Sequence, residues 1–345
     1  MVRVGIIGLG FGAAVHLPAF QALPDVRVVA VAARRLEKAK EVADRVGIET
    51  AGTVEDVLRA PLDAVSIALP PALTADAAER ALERGLAVLA EKPLAESADR
   101  AEALARAARG RTTAVAFQFA ELDCFRTLKR ALEADSTAGL ASVHVTWRSL
   151  SYAHRTRTWN WKTDATRHGG VMNLLGSHVL YLLEWLLGPI TELAAECSNT
   201  ETRAFAPPGA PAAEDTAAIS GVTAAGARIR VELSNSAVDR HGQRWVFAFD
   251  REQLVVEGRA GEALGPLSLA RERGGGREVL AAARPHVEAD SRLEPFRRLA
   301  ERFVAAAQRD AACTPDFAAG ARVQRLIEAC RASALSAGAA QPVSP

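Results

Sequence analysis

The sequence predicts an α/β protein: an N-terminal domain on a parallel, doubly wound sheet, then a C-terminal α+β domain with a large, mostly antiparallel sheet. Three observations carry this. The chain opens on a short apolar run, Val4-Gly5-Ile6-Ile7, that breaks into closely spaced glycines and an alanine-rich segment. Apolar runs of strand length then alternate with segments of helical spacing to about residue 120, as in a parallel sheet with crossover helices. Beyond residue 190 the period becomes two, with short turns between runs, which fits antiparallel strands with one packed and one wet face.

Taken in order, Val4 to Ile7 reads as a buried strand and Gly8 to Ala13 as a tight turn that opens a helix over Ala14 to Leu23. Val26 to Ala32 is a near-continuous apolar strand, and Leu36 to Val46 carries helical spacing. Asp63 to Leu69 is a strand stopped by Pro70-Pro71, since proline cannot donate to a ladder. Thr74 to Arg84 is a helix ended by Gly85, followed by a strand over Leu86 to Ala90. A charged helix from Ser97 to about Ala108 and a strand from Thr112 to Phe117 complete a first domain of residues 1–120, an ordinary domain length.

Residues 121–345 form the second domain. A helix over Leu122 to Ala134 leads to the alternating strand Ser142 to Arg148, a Trp- and Arg-rich loop, and a long helix from about Gly170 to Leu187 ended by Gly188-Pro189. Period-two segments run from Ile190 to about Glu257, with turns at Pro207-Pro208-Gly209, Ala225-Gly226 and Asp250-Arg251. The stretch 258–290 reads as loop with short strand pieces. Two helices, Leu293 to Gln308 and Phe317 to Ala334, close the chain and are able to pack back on the first domain; a loose end follows Ala337.

The 345 residues are 49% hydrophobic and 24% charged, which is soluble globular composition. A formal charge of +1 gives no global field for nucleic acid or an anionic membrane, and no apolar stretch reads as long enough to span a bilayer. The apolar N-terminus is interrupted by glycines and leads into alternating strands and helices, not a cleavage site. Cys124, Cys197, Cys313 and Cys330 are far apart with no C-x-x-C. That spacing fits free or buried thiols in a reducing cytoplasm, with neither zinc nor a disulfide framework. His144 and His154 lack partners at metal-ligand spacing.

Gly8-x-Gly10-x-x-Ala13 is the dinucleotide fingerprint in its G-x-G-x-x-[G/A] form, with Phe11 and Gly12 between. One glycine allows the sharp turn, the next lets backbone approach a pyrophosphate, and the small third residue lets helix and strand pack closely. The helix N-terminus faces the phosphates. In such units an acidic residue about 20 positions on grips the ribose 2′-hydroxyl of NAD. Here that place is held by Ala33-Arg34-Arg35. No carboxylate repels a 2′-phosphate, and two guanidiniums are there to bind one. NADP(H) is therefore the preferred cofactor, with NAD(H) possible.

Three further segments extend the pattern: Ala90-Glu91-Lys92-Pro93-Leu94-Ala95 past the fourth strand, Gly169-Gly170 heading the helix with Gly176-Ser177-His178, and Trp159-Asn160-Trp161-Lys162-Thr163-Asp164 in the preceding loop. With the fingerprint and the closing Pro315-Asp316-Phe317 segment, the chain resembles the glucose–fructose oxidoreductase/inositol dehydrogenase/rhizopine catabolism (Gfo/Idh/MocA) family of NAD(P)-dependent oxidoreductases. The resemblance implies an N-terminal Rossmann domain and a C-terminal domain whose open sheet serves the site on one face and homodimer or homotetramer assembly on the other. It implies a small sugar-like or cyclic hydroxy/keto substrate.

Hydride transfer at a carbinol carbon needs a proton shuttle at its oxygen. The Lys92 ammonium suits that task, with His178 as second acid–base group. Pro70, Glu91 and Gln118 line the nicotinamide side. Trp159 and Trp161 offer faces for a ring to stack on, and Lys162 and Asp164 select polar groups. His16 reads as structural. The chain departs from the family where an Asp four residues before the histidine is replaced by Leu174, and an Asp three residues after it by Tyr181. Asn173, five residues from His178, sits about 140° round an α-helix and does not replace the acid. Tyr181 shares the His178 face, where it packs or donates to substrate. Two other functions stay open: a cofactor-binding regulator or scaffold that has lost turnover, and a C=C or C=N reductase.

Overall fold

The computed structural model describes residues 1–134, 139–239, 242–259, 266–284 and 290–344. The chain divides into two compact units: Met1–Glu121 with Arg292–Gln324, and Leu122–Ser291 with Arg325–Pro345.

The first unit holds six parallel strands, β1 (Val2–Ile7), β2 (Val26–Ala32), β3 (Thr50–Gly52), β4 (Ala64–Ile67), β5 (Ala87–Ala90) and β6 (Thr113–Val115), in the order β3-β2-β1-β4-β5-β6. Val4, Ile6, Val65, Ile67, Val88 and Leu89 are fully buried, because helices cover both faces of a parallel sheet and leave no wet side. The strand order reverses between β1 and β4, so a crevice opens at their carboxyl ends. Five helices belong to this stretch of chain: α1 (Leu17–Gln21), α2 (Leu36–Val46), α3 (Val54–Arg59), α4 (Pro71–Glu83) and α5 (Ala98–Ala107). A π-helical turn, Gly12–His16, precedes α1. Pro71 does more than stop a strand. It starts α4, where its missing N–H costs nothing. β3 and α3 go beyond what the sequence predicted, being too short to show a period. Their readable signal is the Thr53/Asp56 capping box.

The second unit carries a nine-stranded sheet, with β7 (Leu140–Arg148), β8 (Ile190–Ser198), β9 (Thr216–Thr223), β10 (Arg228–Ser234), β11 (Gly242–Phe249), β12 (Glu252–Arg259), β13 (Ser268–Arg273), β14 (Gly276–Ala281) and β15 (Gln341–Pro342). Its order is β14-β13-β12-β11-β7-β10-β9-β8-β15. Only the β7–β10 pair is parallel; the other pairs are antiparallel. Val143, Val145 and Trp147 of β7 and Ile229, Val231 and Leu233 of β10 are buried, while His144 and Arg230 point outward. The helices are α6 (Asp123–Ala134), α7 (Tyr152–Thr156), α8 (Ser177–Leu187) and α9 (Thr200–Arg203). α6 packs on the β12–β14 end, with Phe125 edge-on to Trp245 at 5.1 Å.

Three expectations for this part of the chain are corrected. Within 258–290, β13 and β14 form a full hairpin; Leu269 and Ala270 alone of β13 are fully buried, so charge masks the alternation. Residues 260–265 and 285–289 lie outside the described residues. The end after Ala337 is not loose: β15 pairs with β8, and the buried Val343 donates its N–H to Thr191 O at 2.8 Å. A two-residue strand has no period to read. Finally, the stretch Ala165–Leu187 does reach membrane-spanning length and hydropathy, but 78% of its apolar window is buried, as in a core helix.

The last two helices are α10 (Leu293–Ala307) and α11 (Phe317–Leu335). The segment 292–324 joins the first unit, where Phe296, Leu299, Ala300 and Phe303 of α10 enter the core beside Phe20. Amphipathic spacing announces such a helix but does not name the side chains that receive its face.

Candidate active site

In the first unit, backbone bonds between neighbouring strand ends step along one edge. Gly8 N donates to Ala32 O (2.9 Å), Ala68 N to Ile7 O (2.7 Å), Glu91 N to Ile67 O (2.8 Å) and Ala116 N to Ala90 O (2.8 Å). The glycine turn, Ala68 to Pro70, Glu91-Lys92 and Gln118 therefore all leave the carboxyl ends of adjacent strands. Arg34 and Arg35 follow β2 on the same edge, both exposed, with Arg35 at the N-cap of α2.

Each glycine of the turn has its own reason. Gly8 has φ +97°, and a Cβ there would stand 2.3 Å from Ala68 O, so only glycine fits. A Cβ on Gly10 would meet nothing within 4 Å, which leaves bare backbone for a phosphate. Gly12 sits where a Cβ would be 3.3 Å from both Ile6 and Ala68. Close helix–strand packing thus falls to Gly12 as well as to Ala13, which is partly exposed and packs against the core. The cradle fits a dinucleotide: tight at Gly8, open at Gly10.

Glu91 is engaged by the protein itself. Its Oε1 lies 3.2 Å from His16 Nε2 and its Oε2 accepts the Lys92 N–H at 3.3 Å. His16 is fully buried, with Nδ1 2.8 Å from Ser66 Oγ and its ring stacked on Phe296 at 4.1 Å. This places a structural histidine one residue from Lys92, which is half-buried and joined to Pro93 by a cis peptide. Pro70 is the N-cap of α4. Gln118 is buried, and its Oε1 has no hydrogen-bond partner among the described residues.

In the second unit, the loop before α8 is fastened by its own backbone. Gly170 N donates to Lys162 O (2.9 Å), Ala213 N to Thr163 O (2.9 Å) and Ala165 N to Pro211 O (2.9 Å). Gly169 and Gly170 are required for this fit: a Cβ on the first would stand 2.5 Å from Lys162 C and O, and on the second, at φ +100°, 2.4 Å from the Glu214 carboxyl carbon. Trp159 and Trp161 are half-buried, and the Lys162 ammonium lies 5.8 Å from the Trp161 ring centre. Asp164 is occupied locally: its Oδ1 accepts from Thr166 N (2.9 Å) and Thr166 Oγ1 (2.6 Å), capping a short turn. Glu214, bridged to Arg331 at 3.0 Å, was not expected; nothing in its local sequence marks it.

His178 is 4% exposed, with its ring centre 6.5 Å from that of Trp147. Tyr181 is buried on the same helix. The residues leading into α8 form a π-turn, Met172–Gly176, and Ser177 N–H bonds back five residues to Met172 O. Residues five apart across such a turn stack much as residues four apart do in an α-helix. The 140° separation expected for Asn173 and His178 therefore does not hold. Asn173 is 1% exposed, whereas Leu174 is partly exposed. The Asn173 Nδ2 donates to His168 O at 2.7 Å, and its Oδ1 has no partner among the described residues. The π-turns of the described chain fall on the fingerprint helix and the His178 helix, and such turns are frequent at functional sites.

Among the described residues no group of three or more His, Cys, Asp or Glu is arranged to hold a metal.

A glycine cradle at a strand-order switch, with a lysine on the same edge, defines an NAD-binding Rossmann oxidoreductase. Comparison with known proteins agrees. Residues 2–119 match the model of the oxidoreductase family with NAD-binding Rossmann fold, and residues 125–262 the GFO/IDH/MocA C-terminal domain. The chain belongs to the Gfo/Idh/MocA oxidoreductase family. It is 30% identical to the uncharacterized oxidoreductase sll0816 of Synechocystis sp., over 95% of this chain and 92% of that one. It is 29% identical to inositol 2-dehydrogenase 1 of Saccharopolyspora erythraea, over 95% and 93%. Its fold is similar to that of levoglucosan dehydrogenase in complex with NADH and levoglucosan, with a TM-score of 0.86, 21% identity and 99% of each chain covered.

Proposed function

We propose that this chain is an NADP(H)-preferring oxidoreductase that interconverts an alcohol and a carbonyl on a sugar-like or cyclic substrate, with Lys92 exchanging the proton at the substrate oxygen and His178 assisting. The observation that carries it is the shared carboxyl edge of β1, β4 and β5, from which the glycine turn and Glu91-Lys92 both project. The names of the inositol and levoglucosan dehydrogenases support the substrate class.

When bound, the nicotinamide supplies or accepts the hydride. The chain does the rest. The Gly8–Gly12 turn takes the pyrophosphate, and Arg34 and Arg35 take the 2′-phosphate. The Lys92 ammonium hydrogen-bonds a carbonyl oxygen and donates a proton as hydride arrives; in the other direction its amine accepts the hydroxyl proton. Trp159 and Trp161 provide stacking faces and Lys162 a polar contact. Asn173 offers an acceptor for a substrate hydroxyl, and Leu174 and Tyr181 favour a less polar compound than a free polyol.

The test is cofactor absorbance at 340 nm with NADPH and NADH against keto-sugars, and with the oxidised cofactors against myo-inositol and levoglucosan. Turnover favouring NADP(H) is expected. Tight NADPH binding without turnover on any carbonyl would overturn the enzyme and favour a regulator, the reading to which the partly exposed Leu174 lends weight. The outward sheet face bearing His144, Arg230 and Glu232 is the proposed homodimer or homotetramer interface, and a reducing cytoplasm the proposed location.

A further inference from the structure

We infer that Arg292 is a cofactor-binding residue: a cation brought from the far end of the chain to the pyrophosphate held by the Gly8–Gly12 turn, an assignment that rests on the dinucleotide reading of that turn. No Lys or Arg occurs between Val4 and Val26, so the turn has no basic side chain of its own. A dinucleotide pyrophosphate carries two negative charges, which backbone N–H groups and a helix terminus neutralise only in part.

The structure places a guanidinium at this turn. Arg292 lies 4.9 Å from the centre of the Phe11 ring, within cation–π range, and Phe11 stands between the bare Gly10 and the packed Gly12. The position is held from both sides. Phe11 meets the His16 ring edge-on at 5.5 Å. Arg292 is the N-cap of α10, and Phe296, four residues on, stacks on His16 at 4.1 Å. Phe11, His16 and Phe296 thus fix the backbone that carries Arg292 against the helix that receives the phosphates. Arg292 itself is only partly buried. A planar fork of donors suits phosphate oxygens better than an ammonium does.

Arg34 and Arg35 stand at the other end of the adenosine half, so the two basic sites have separable signatures. Arg34 and Arg35 set the preference between NADPH and NADH; Arg292 sets the affinity for both. The experiment is fluorescence titration of the full chain, wild type, Arg292→Gln and Arg292→Lys, with NADPH, NADH and adenosine 2′-monophosphate, which has no pyrophosphate. Thermal melts of the apo proteins run alongside.

Arg292→Gln should weaken NADPH and NADH by the same factor, about 10-fold, the usual scale for one charge-assisted contact. Adenosine 2′-monophosphate should bind as in wild type, and Arg292→Lys should recover part of the loss. Unchanged NADH and NADPH affinity in Arg292→Gln overturns the assignment. So does an equal loss for adenosine 2′-monophosphate, or a collapsed melt shared by Arg292→Lys, because either marks a packing role. A wild-type protein that binds neither dinucleotide sinks the cofactor reading itself, and this assignment with it.

Discussion

His16 and Glu91 meet inside the first unit, ring Nε2 to carboxylate Oε1 at 3.2 Å, while the other imidazole nitrogen lies 2.8 Å from Ser66 Oγ. The buried ring links the fingerprint helix to β4 and to the turn that carries Lys92. His16→Leu takes the ring partner from Glu91 Oε1 and leaves the fully buried Ser66 hydroxyl without it, at about 1–3 kcal/mol. Its urea midpoint should fall accordingly. His16→Gln, with two polar ends, should recover part of that loss. A His16→Leu protein as stable as wild type would show that the link holds nothing.

Gly8 and Gly10 separate folding from binding. Gly8→Ala forces a Cβ to 2.3 Å from Ala68 O at φ +97°, a strain of order 1–3 kcal/mol before any shift of β4. Its melting temperature should drop. Gly10→Ala meets no atom within 4 Å, so its melt should match wild type while NADPH affinity falls, because the methyl occupies the space a phosphate needs. Equal dinucleotide affinity in Gly10→Ala would move the phosphate elsewhere.

What the sequence made legible follows from how far each signal reaches. The β1 turn, the β4 and β5 edges and the Glu91-Lys92 segment announce themselves locally, through apolar runs that end in glycine or proline. α10 does so only in part: its spacing shows a buried face and leaves packing on the first domain open, but no local signal names the partner, so the tie from Phe296 to His16 was invisible. β3 and β15 are too short for a period to emerge. The site helix misled for a different reason. A constant 3.6-residue period put Asn173 away from His178, and nothing in Met172-Asn-Leu-Leu-Gly176 signals that the backbone widens there into a π-turn. Nor did Asp164 reveal that its carboxylate would cap its own turn.

Lys92→Ala should leave NADPH affinity nearly intact and cut turnover by about 10²-fold or more, the scale of lost general acid–base catalysis. The residue is half-buried at the strand edge and carries no part of the glycine cradle. Titration with NADPH and a single-turnover trace at 340 nm would distinguish the two effects. A fully active variant would remove Lys92 from the mechanism.

Arg34→Asp with Arg35→Ala should shift preference from NADPH toward NADH, since a carboxylate at the end of β2 accepts a ribose 2′-hydroxyl and repels a 2′-phosphate. Both residues are exposed, so the melt should not change. The ratio of the two dissociation constants is the measurement. An unchanged ratio would mean that the 2′-phosphate is held by other residues.

His154 should make the second unit acid-sensitive. Its ring nitrogens lie 2.8 Å from Ser151 Oγ and 3.0 Å from Thr202 Oγ1, and Thr202 N in turn donates to Asp215 Oδ2 at 2.7 Å. Burial lowers the His154 pKa below the ordinary value of 6.5, against the opposing pull of Asp215 and Glu201. Between that lowered value and 6.5 the unfolded chain binds more protons than the folded one, so stability falls as pH drops through this window. Asp215 works the other way: burial pushes its pKa up from 3.8, so its protonation favours the folded state as pH falls. His154→Gln removes the first effect and keeps polar atoms for Ser151 and Thr202. The stability of wild type over His154→Gln, measured by urea melts, should be greatest above pH 6.5 and shrink on acidification. A difference that stays flat from pH 7.5 to pH 5 would mean that His154 takes up its proton equally in folded and unfolded chains.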